Sequence, residues 1–174
     1  MLPRPLDPRI VNVCYDANVF DRVGGPDDDA VDRLLGLIEA REFVMVAPRT
    51  VRAEIDHPNT PAAVKTAALP HIFTISTGLT QGEVDIARKI RAILQGNAKL
   101  GKHDADASHL AEAAKYGGYF ITHDQRILSK LPELRLVIPP HLQIVSLADF
   151  LAIYDHYLAQ DADGVPPPPR RRTV

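Results

Sequence analysis

The sequence has few of the residues that form disulfide bonds and thiolate metal sites. It has one cysteine, Cys14, and no tryptophan. A single cysteine excludes a disulfide within the chain and a zinc site made of several thiolates. No apolar run approaches the roughly 20 residues that a membrane-spanning helix needs, and the proline-broken N-terminus, MLPRPLDPR, lacks the apolar stretch of a signal peptide. We therefore expect a reduced, cytoplasmic protein with no membrane contact.

The chain also lacks an excess of either charge. Its formal net charge is −2 over 174 residues, so binding of a polyanion must use a local patch or a bound cation. The seven histidines form neither an H-E-x-x-H motif nor an i, i+4 pair, which argues against common zinc sites. The five tyrosines and five phenylalanines lie mostly in apolar segments, so we predict no aromatic surface for stacking bases.

What the chain does contain is an alternation of short apolar runs with stretches of helical periodicity. The runs predict strands at Ile10–Tyr15, Phe43–Val46, His71–Ile75, Tyr119–Thr122 and Gln143–Val145. Helices are predicted to begin near Asp27, Pro48, Thr60, Thr80, Asp104, Gln125 and Ser146. This order predicts an α/β fold with a parallel sheet of about five strands and helices on both faces. We place one domain at 10–158, an N-terminal extension at 1–9 and a flexible Pro/Arg-rich tail at 159–174.

Four carboxylates from separate segments are predicted to meet at one edge of that sheet. Asp16 and Asp124 follow the first and fourth strands, whereas Glu54 and Asp106 lie near the starts of helices. Parallel sheets bind ligands beyond the carboxyl ends of their strands, near a point where the strand order reverses. Four carboxylates in one pocket would repel one another without a cation. Oxygen ligands suit Mg²⁺ or Mn²⁺, so we predict a site for one of these ions.

Each of these acids also has a purely structural interpretation. Asp16 could form an Asx turn after its strand, and Glu54 could be a solvated charge on a helix. Asp106 could stabilise a helix dipole, and Asp124 could cap the helix that follows it. Capping and metal binding do not exclude each other.

Four short motifs, taken in order, resemble those of PIN-domain nucleases. The segment Tyr15–Asn18 is similar to their first motif, a strand followed by Asp-x-Asn, and Pro48–Ile55 is similar to the second. The segment that begins at Asp106, DASHLAEAA, is similar to the third, and Thr122–Asp124 is similar to the closing Thr-x-Asp. The resemblance covers about residues 10–150. Each motif alone is weak, whereas the ordered set is fairly specific.

The resemblance implies a three-layer PIN-like sandwich and a Mg²⁺- or Mn²⁺-dependent ribonuclease, often the toxin half of a bacterial toxin–antitoxin pair. By it, the four carboxylates are the metal ligands. Asn18 and Thr122 would position ligands or substrate, and Asp104 is the rival of Asp106 for the third acid. The partners that it implies are an RNA substrate, an antitoxin protein and a second copy of the chain. The long extension past Asp124 departs from the shortest toxin-like members.

Other functions stay open on the residues alone. The chain could be a PIN-like RNA-binding or regulatory module without catalysis. It could also be a phosphatase-like hydrolase with Asp16 as nucleophile, although Asn18 stands where a second aspartate is expected.

The cations have two interpretations as well. Arg49, Arg52 and the five cations between positions 88 and 102 could contact RNA or could form solvated surface.

Overall fold

A computed structural model describes residues 5–20, 26–62, 65–66, 73–74 and 78–162. Its strands are β1 (Val13–Tyr15), β2 (Met45–Ala47), β3 (Phe73–Thr74), β4 (Gly118–Ile121) and β5 (Leu142–Val145). Its helices are α1 (Pro26–Glu39), α2 (Arg49–Asp56), α3 (Gln81–Gln95), α4 (Asp104–Tyr116), α5 (Gln125–Ser129), α6 (Leu131–Leu134) and α7 (Leu147–Ala162). Within the described residues, no helix has both the length and the hydropathy to cross a membrane. The predicted α/β class is confirmed.

The strands run parallel in the order β3-β2-β1-β4-β5. Strand β1 is central, because Val13 is paired with Met45 on one side and with Tyr119 on the other. The chain adds β2 and β3 to one side of β1 and then adds β4 and β5 to the other side. The strand order therefore reverses between β1 and β4, and this reversal is where parallel sheets bind ligands.

Residues along the strands point alternately into two hydrophobic cores, one on each face of the sheet. We call the side covered by α1 and α7 the aromatic face, because its core contains the side chains of Tyr15, Phe20, Phe43, Tyr119, Phe150 and Tyr154. We call the side covered by α3 and α4 the alanine face, because α4 contributes Ala107, Ala111, Ala113 and Ala114 to its core. Small side chains let a helix backbone lie close to the sheet, so α4 can bring its polar residues near the strand ends.

Strand β4 begins at a close approach between two backbones. Gly118 has a φ of +85°, and a Cβ atom there would lie 1.9 Å from the carbonyl oxygen of Asn12. The N–H of Tyr119 donates to that same oxygen at 2.9 Å. Only glycine adopts this conformation readily and leaves room for the contact. The pairing of β4 with β1 therefore requires glycine at position 118.

Most predicted elements are present with shifted ends. Two residues of the predicted third strand form β3, and the rest of 71–75 lies outside the described residues. Of the helix predicted from Thr60, residues 62, 65 and 66 are helical, and residues 63–64 lie outside the described residues. The short helix α6, which has Pro132 near its start, was not predicted. Helix α7 continues to Ala162, past the predicted domain boundary at 158. The remainder of the predicted tail lies outside the described residues.

Residues 5–9, predicted as an extension, contact the domain. The hydroxyl of Tyr119 donates to the carbonyl oxygen of Leu6 at 2.5 Å. Arg9 donates to the buried carboxylate of Asp7 from Nε at 2.9 Å and from Nη2 at 2.7 Å. Burial opposes the charged form of Asp7, but the hydrogen bonds and charge of Arg9 outweigh it and hold the pKa of Asp7 below its usual value. This segment therefore closes over the aromatic face.

Candidate metal centre

Asp16 lies where the strand order reverses. It follows β1, and its N–H donates to the carbonyl oxygen of Ile121 in β4 at 2.9 Å. The hydroxyl of Thr122, which follows β4, donates to Oδ2 of Asp16 at 3.1 Å. Asp16 is buried, with 5% of its surface exposed. Thr122 thus fixes one carboxylate oxygen and leaves Oδ1 to face its neighbours.

Helix α2 carries Glu54 to the same place. Val51 and Ile55 are fully buried and set which side of α2 faces the core. Glu112 of α4 accepts a hydrogen bond from the N–H of Thr50 at 3.1 Å and another from its hydroxyl at 2.8 Å. A carboxylate is stabilising at a helix N-terminus, so Glu112 caps α2 and holds it against α4. The side chain of Glu54 stays 49% exposed.

His109 of α4 lies between the two acids. Its Nδ1 is 3.4 Å from Oδ1 of Asp16, and its Nε2 is 3.4 Å from Oε2 of Glu54. Its side chain is 2% exposed, and Nδ1 has no hydrogen-bond partner among the described residues. Burial opposes protonation, but the carboxylates of Asp16, Glu54 and Asp106 outweigh it and raise the pKa of His109.

Asp16, Glu54 and His109 form what we call the acid–histidine cluster. Each offers one ligand atom, and these atoms lie within 4.8 Å of one another, so the cluster could hold a metal ion. The set contains a nitrogen donor, whereas the sequence predicted oxygen ligands. Buried Asp16 and His109 form its floor, and half-exposed Glu54 forms its open side.

An open cleft of about 510 Å³ leads to the cluster. The described residues that line it are Asp16, Ala17, Asn18, Glu54, His57, Asn59, Thr60, Pro61 and Asp106. Three of them are acids, and none is a lysine or an arginine. Carboxylates gathered in this way favour binding of a cation.

The structure separates the two acids in the first turn of α4. Asp106 lines the cleft, and its Oδ2 lies 3.3 Å from Nδ1 of His103. Asp104 instead pairs with Arg91 of α3, with 3.2 Å between Oδ1 and Nε. Asp106 is therefore the acid that shares a cleft with Asp16 and Glu54, and Asp104 faces a neighbouring helix.

Asp124 caps helix α5. Its Oδ1 accepts the N–H of Arg126 at 2.7 Å, and its own N–H donates to the hydroxyl of Thr122 at 3.0 Å. The guanidinium of Arg126 in turn donates to the carbonyl oxygen of Leu94 at 2.7 Å, which ties α5 to α3. Among the described residues, the acid–histidine cluster does not include Asp124, which is linked to Asp16 through Thr122. Its capping role is confirmed, and its role as a metal ligand stays a prediction.

The loops that follow β1 and β4 are joined by Asn18. Its Oδ1 accepts the N–H of His123 at 3.3 Å. Together with the bond from Thr122 to Asp16, this contact links the two loops at the point where the strand order reverses. Asn18 and Thr122 thus hold the shape of the site, and contact of either with substrate stays a prediction.

Several of the cations named above are paired with acids. The pairs are Arg52–Asp56, Arg88–Asp85 and Arg91–Asp104. Their side chains are 33–73% exposed on the cationic side, so each pair contributes little to stability. The pairing supports the interpretation of these three cations as solvated surface, and contact of the remaining cations with RNA stays a prediction.

His109 is the cluster residue that the sequence did not identify. It follows Asp106 by three residues on a helix, and residues at this spacing share one face. A search for pairs of histidines overlooks such a combination of histidine with carboxylate. The spacing was therefore a usable signal, but it could not reveal that α2 would place Glu54 on the other side of the imidazole.

Comparison with known proteins adds no family assignment. No protein-family model matches the chain, and no curated protein matches it either. The support for a function therefore consists of the motifs in the sequence and the geometry of the cluster and its cleft.

Proposed function

We propose that this chain is a divalent-cation-dependent ribonuclease of the PIN-domain type. The observation that carries the proposal is that Asp16, Glu54 and Asp106, from three separate segments, line one cleft where the strand order reverses. These acids belong to the first three motifs of the resemblance, in the same order. Helices on both faces of a parallel sheet are compatible with the three-layer sandwich that the resemblance implies.

Different residues of the site would bind the cation and orient its ligands. The acid–histidine cluster would hold the cation, and Thr122 orients the carboxylate of Asp16 within it. A divalent cation held there would supply an activated water and neutralise charge on the scissile phosphate. The wall formed by His57, Asn59 and Thr60 offers polar groups to a phosphate or a ribose without adding negative charge.

Cleavage of a fluorogenic single-stranded RNA tests the proposal. We expect turnover with Mn²⁺ or Mg²⁺ and none with EDTA. Asp16→Asn should lower the rate by about 10²–10³-fold or more, since it removes a charged group from the centre of the site. Asp104→Asn is the matched control, because Asp104 pairs with Arg91 outside the cleft, and it should retain activity. Cleavage that persists in Asp16→Asn or with EDTA would reject the proposal.

A second function is favoured by one observation, the engagement of Asp124 as a helix cap. A PIN-like module with three acids among the described residues of its cleft could bind RNA without cleaving it. Fluorescence anisotropy and cleavage measured on the same samples distinguish the two functions. Binding without turnover, unchanged in Asp16→Asn, would support the module. The phosphatase-like alternative has no support here, since the described residues that line the cleft include no lysine that could assist Asp16.

The toxin role and its partners form part of the same proposal. An antitoxin could block the site by placing an arginine among Asp16, Glu54 and Asp106, where the described lining has no lysine or arginine. A small DNA-binding protein encoded beside this chain would be the first candidate. Co-purification of the two proteins tests the antitoxin, and light scattering on the isolated chain tests the homodimer.

A further inference from the structure

The feature that calls for an explanation is the buried imidazole of His109. Its Nδ1 is enclosed, faces Oδ1 of Asp16 at 3.4 Å, and has no hydrogen-bond partner among the described residues. Buried polar atoms in native proteins are normally hydrogen-bonded, so an orphan nitrogen beside a carboxylate indicates a missing partner.

Distances within the cluster fit a shared cation better than a hydrogen-bonded histidine. Both contacts of His109 measure 3.4 Å, longer than the usual N–H···O distance. Donor atoms that each lie about 2.1 Å from one metal ion are separated by about 3.0–3.4 Å, depending on the coordination geometry. The separation of Nδ1 from Oδ1 of Asp16 is therefore that of two neighbouring ligand atoms.

The backbone around His109 is held in place from both sides. Glu112, one turn further along α4, binds the N-terminus of α2 through Thr50. Thr122 holds the second oxygen of Asp16. These contacts fasten α4 to α2 and fix the carboxylate of Asp16, so the elements that carry His109 and Asp16 are held in place.

We infer that His109 is a nitrogen ligand of the cation through Nδ1, and that the site consequently prefers Mn²⁺ to Mg²⁺. The inference rests on the proposed function, because it concerns the cation of the same cleft. Mg²⁺ is a hard ion that takes oxygen ligands. An imidazole raises the affinity for transition ions relative to Mg²⁺. The other ring nitrogen, Nε2, would then carry the proton, and the carboxylate of Glu54, 3.4 Å from it, favours that tautomer.

The test uses the full chain stripped of metal and titrated with MnCl₂ or MgCl₂ by calorimetry. We expect Mn²⁺ to bind at least about tenfold more tightly than Mg²⁺. Electron spin echo modulation of the Mn²⁺-loaded protein should show coupling to ¹⁴N, and growth on ¹⁵N-histidine should replace it by coupling to ¹⁵N. This labelling needs no substitution, so it decides the question even if a variant fails to fold.

Two variants locate the nitrogen. His109→Asn should abolish the ¹⁴N coupling and weaken Mn²⁺ binding by about 10–100-fold while leaving Mg²⁺ binding nearly unchanged. His57→Asn is the matched control, since His57 lines the same cleft but lies outside the cluster, and it should keep the coupling. Circular dichroism confirms that each variant is folded.

Bound Mn²⁺ without nitrogen coupling in the wild-type chain would overturn the inference, and RNA cleavage in the same sample would leave the proposed function standing. Equal loss of Mn²⁺ and Mg²⁺ affinity in His109→Asn would also overturn it, because His109 would then only position the carboxylates. Nitrogen-coupled Mn²⁺ in a protein that does not cleave RNA would support the inference and contradict the proposed function.

Discussion

The two faces of the sheet are packed with side chains of different size. The aromatic face is filled by large rings, such as Phe150 packed against Phe43 and Tyr119 with centroids 5.3 and 5.4 Å apart. The alanine face is filled near α4 by small side chains, so that helix lies close to the strand ends and brings Asp106 and His109 to Asp16. The aromatic face therefore supplies the bulkier packing and also anchors α2 through Val51 and Ile55, whereas the alanine face positions α4 with its two site residues.

The largest effect on stability is expected on the aromatic face. Phe150→Ala should lower the free energy of unfolding by about 3–5 kcal/mol, since it leaves a cavity among packed rings. Urea denaturation measures the loss, and calorimetry at low temperature should show Mn²⁺ affinity unchanged in the folded fraction. A loss of stability below about 1 kcal/mol, or a changed Mn²⁺ affinity, would contradict the different roles assigned to the two faces.

The next largest loss of stability is expected at the pairing of β4 with β1, which lies between the two faces. Gly118→Ala should cost about 3 kcal/mol, from strain at a positive φ and from overlap with the Asn12 carbonyl oxygen. Gly82→Ala is the control, because nothing lies within 4 Å of its added methyl group, and alanine in an exposed helix should stabilise by about 0.5–1 kcal/mol. Thermal unfolding of both variants measures the contrast, and equal effects would contradict the close approach.

A smaller loss of stability with a larger effect on the site is expected on the alanine face. Ala113 is fully buried one turn beyond His109, so Ala113→Leu should push α4 outward. We expect a cost of about 1–3 kcal/mol together with at least a tenfold loss of Mn²⁺ affinity. Ala105→Leu on the exposed side of the same helix should change neither quantity. Retained affinity in Ala113→Leu would show that the site does not depend on close packing of α4.

The smallest loss of stability is expected in residues 5–9, the segment that closes over the aromatic face. Arg9 holds the folded pKa of Asp7 below the 3.8 of an unperturbed aspartate. The stabilisation is therefore complete above about pH 4 and is lost as the pH falls through the lower folded pKa. Asp7→Asn should cost about 1–2 kcal/mol at pH 7 and should flatten the acid limb of the stability curve. Asp56→Asn, in a more exposed pair, should have almost no effect.

Local patterns were sufficient to predict much of the fold. The capping box that Thr80 and Glu83 form at the start of α3 is present, since each bonds the backbone of the other. The acids that follow β1 and β4 are also found at the ends of those strands. Such features depend on neighbours in the sequence, because caps, periodicity and strand ends are set within a few residues.

What the sequence alone determined is the α/β order, the parallel sheet and the strand end at which polar side chains gather. Tertiary structure decided which of those side chains meet. It pairs Asp104 with Arg91, uses Asp124 as a helix cap, and inserts His109 between Asp16 and Glu54. These choices depend on distances between α2, α3, α4 and the sheet, which are set by packing such as the alanine contacts of α4 and the Glu112 cap on α2. A one-dimensional pattern does not contain those distances.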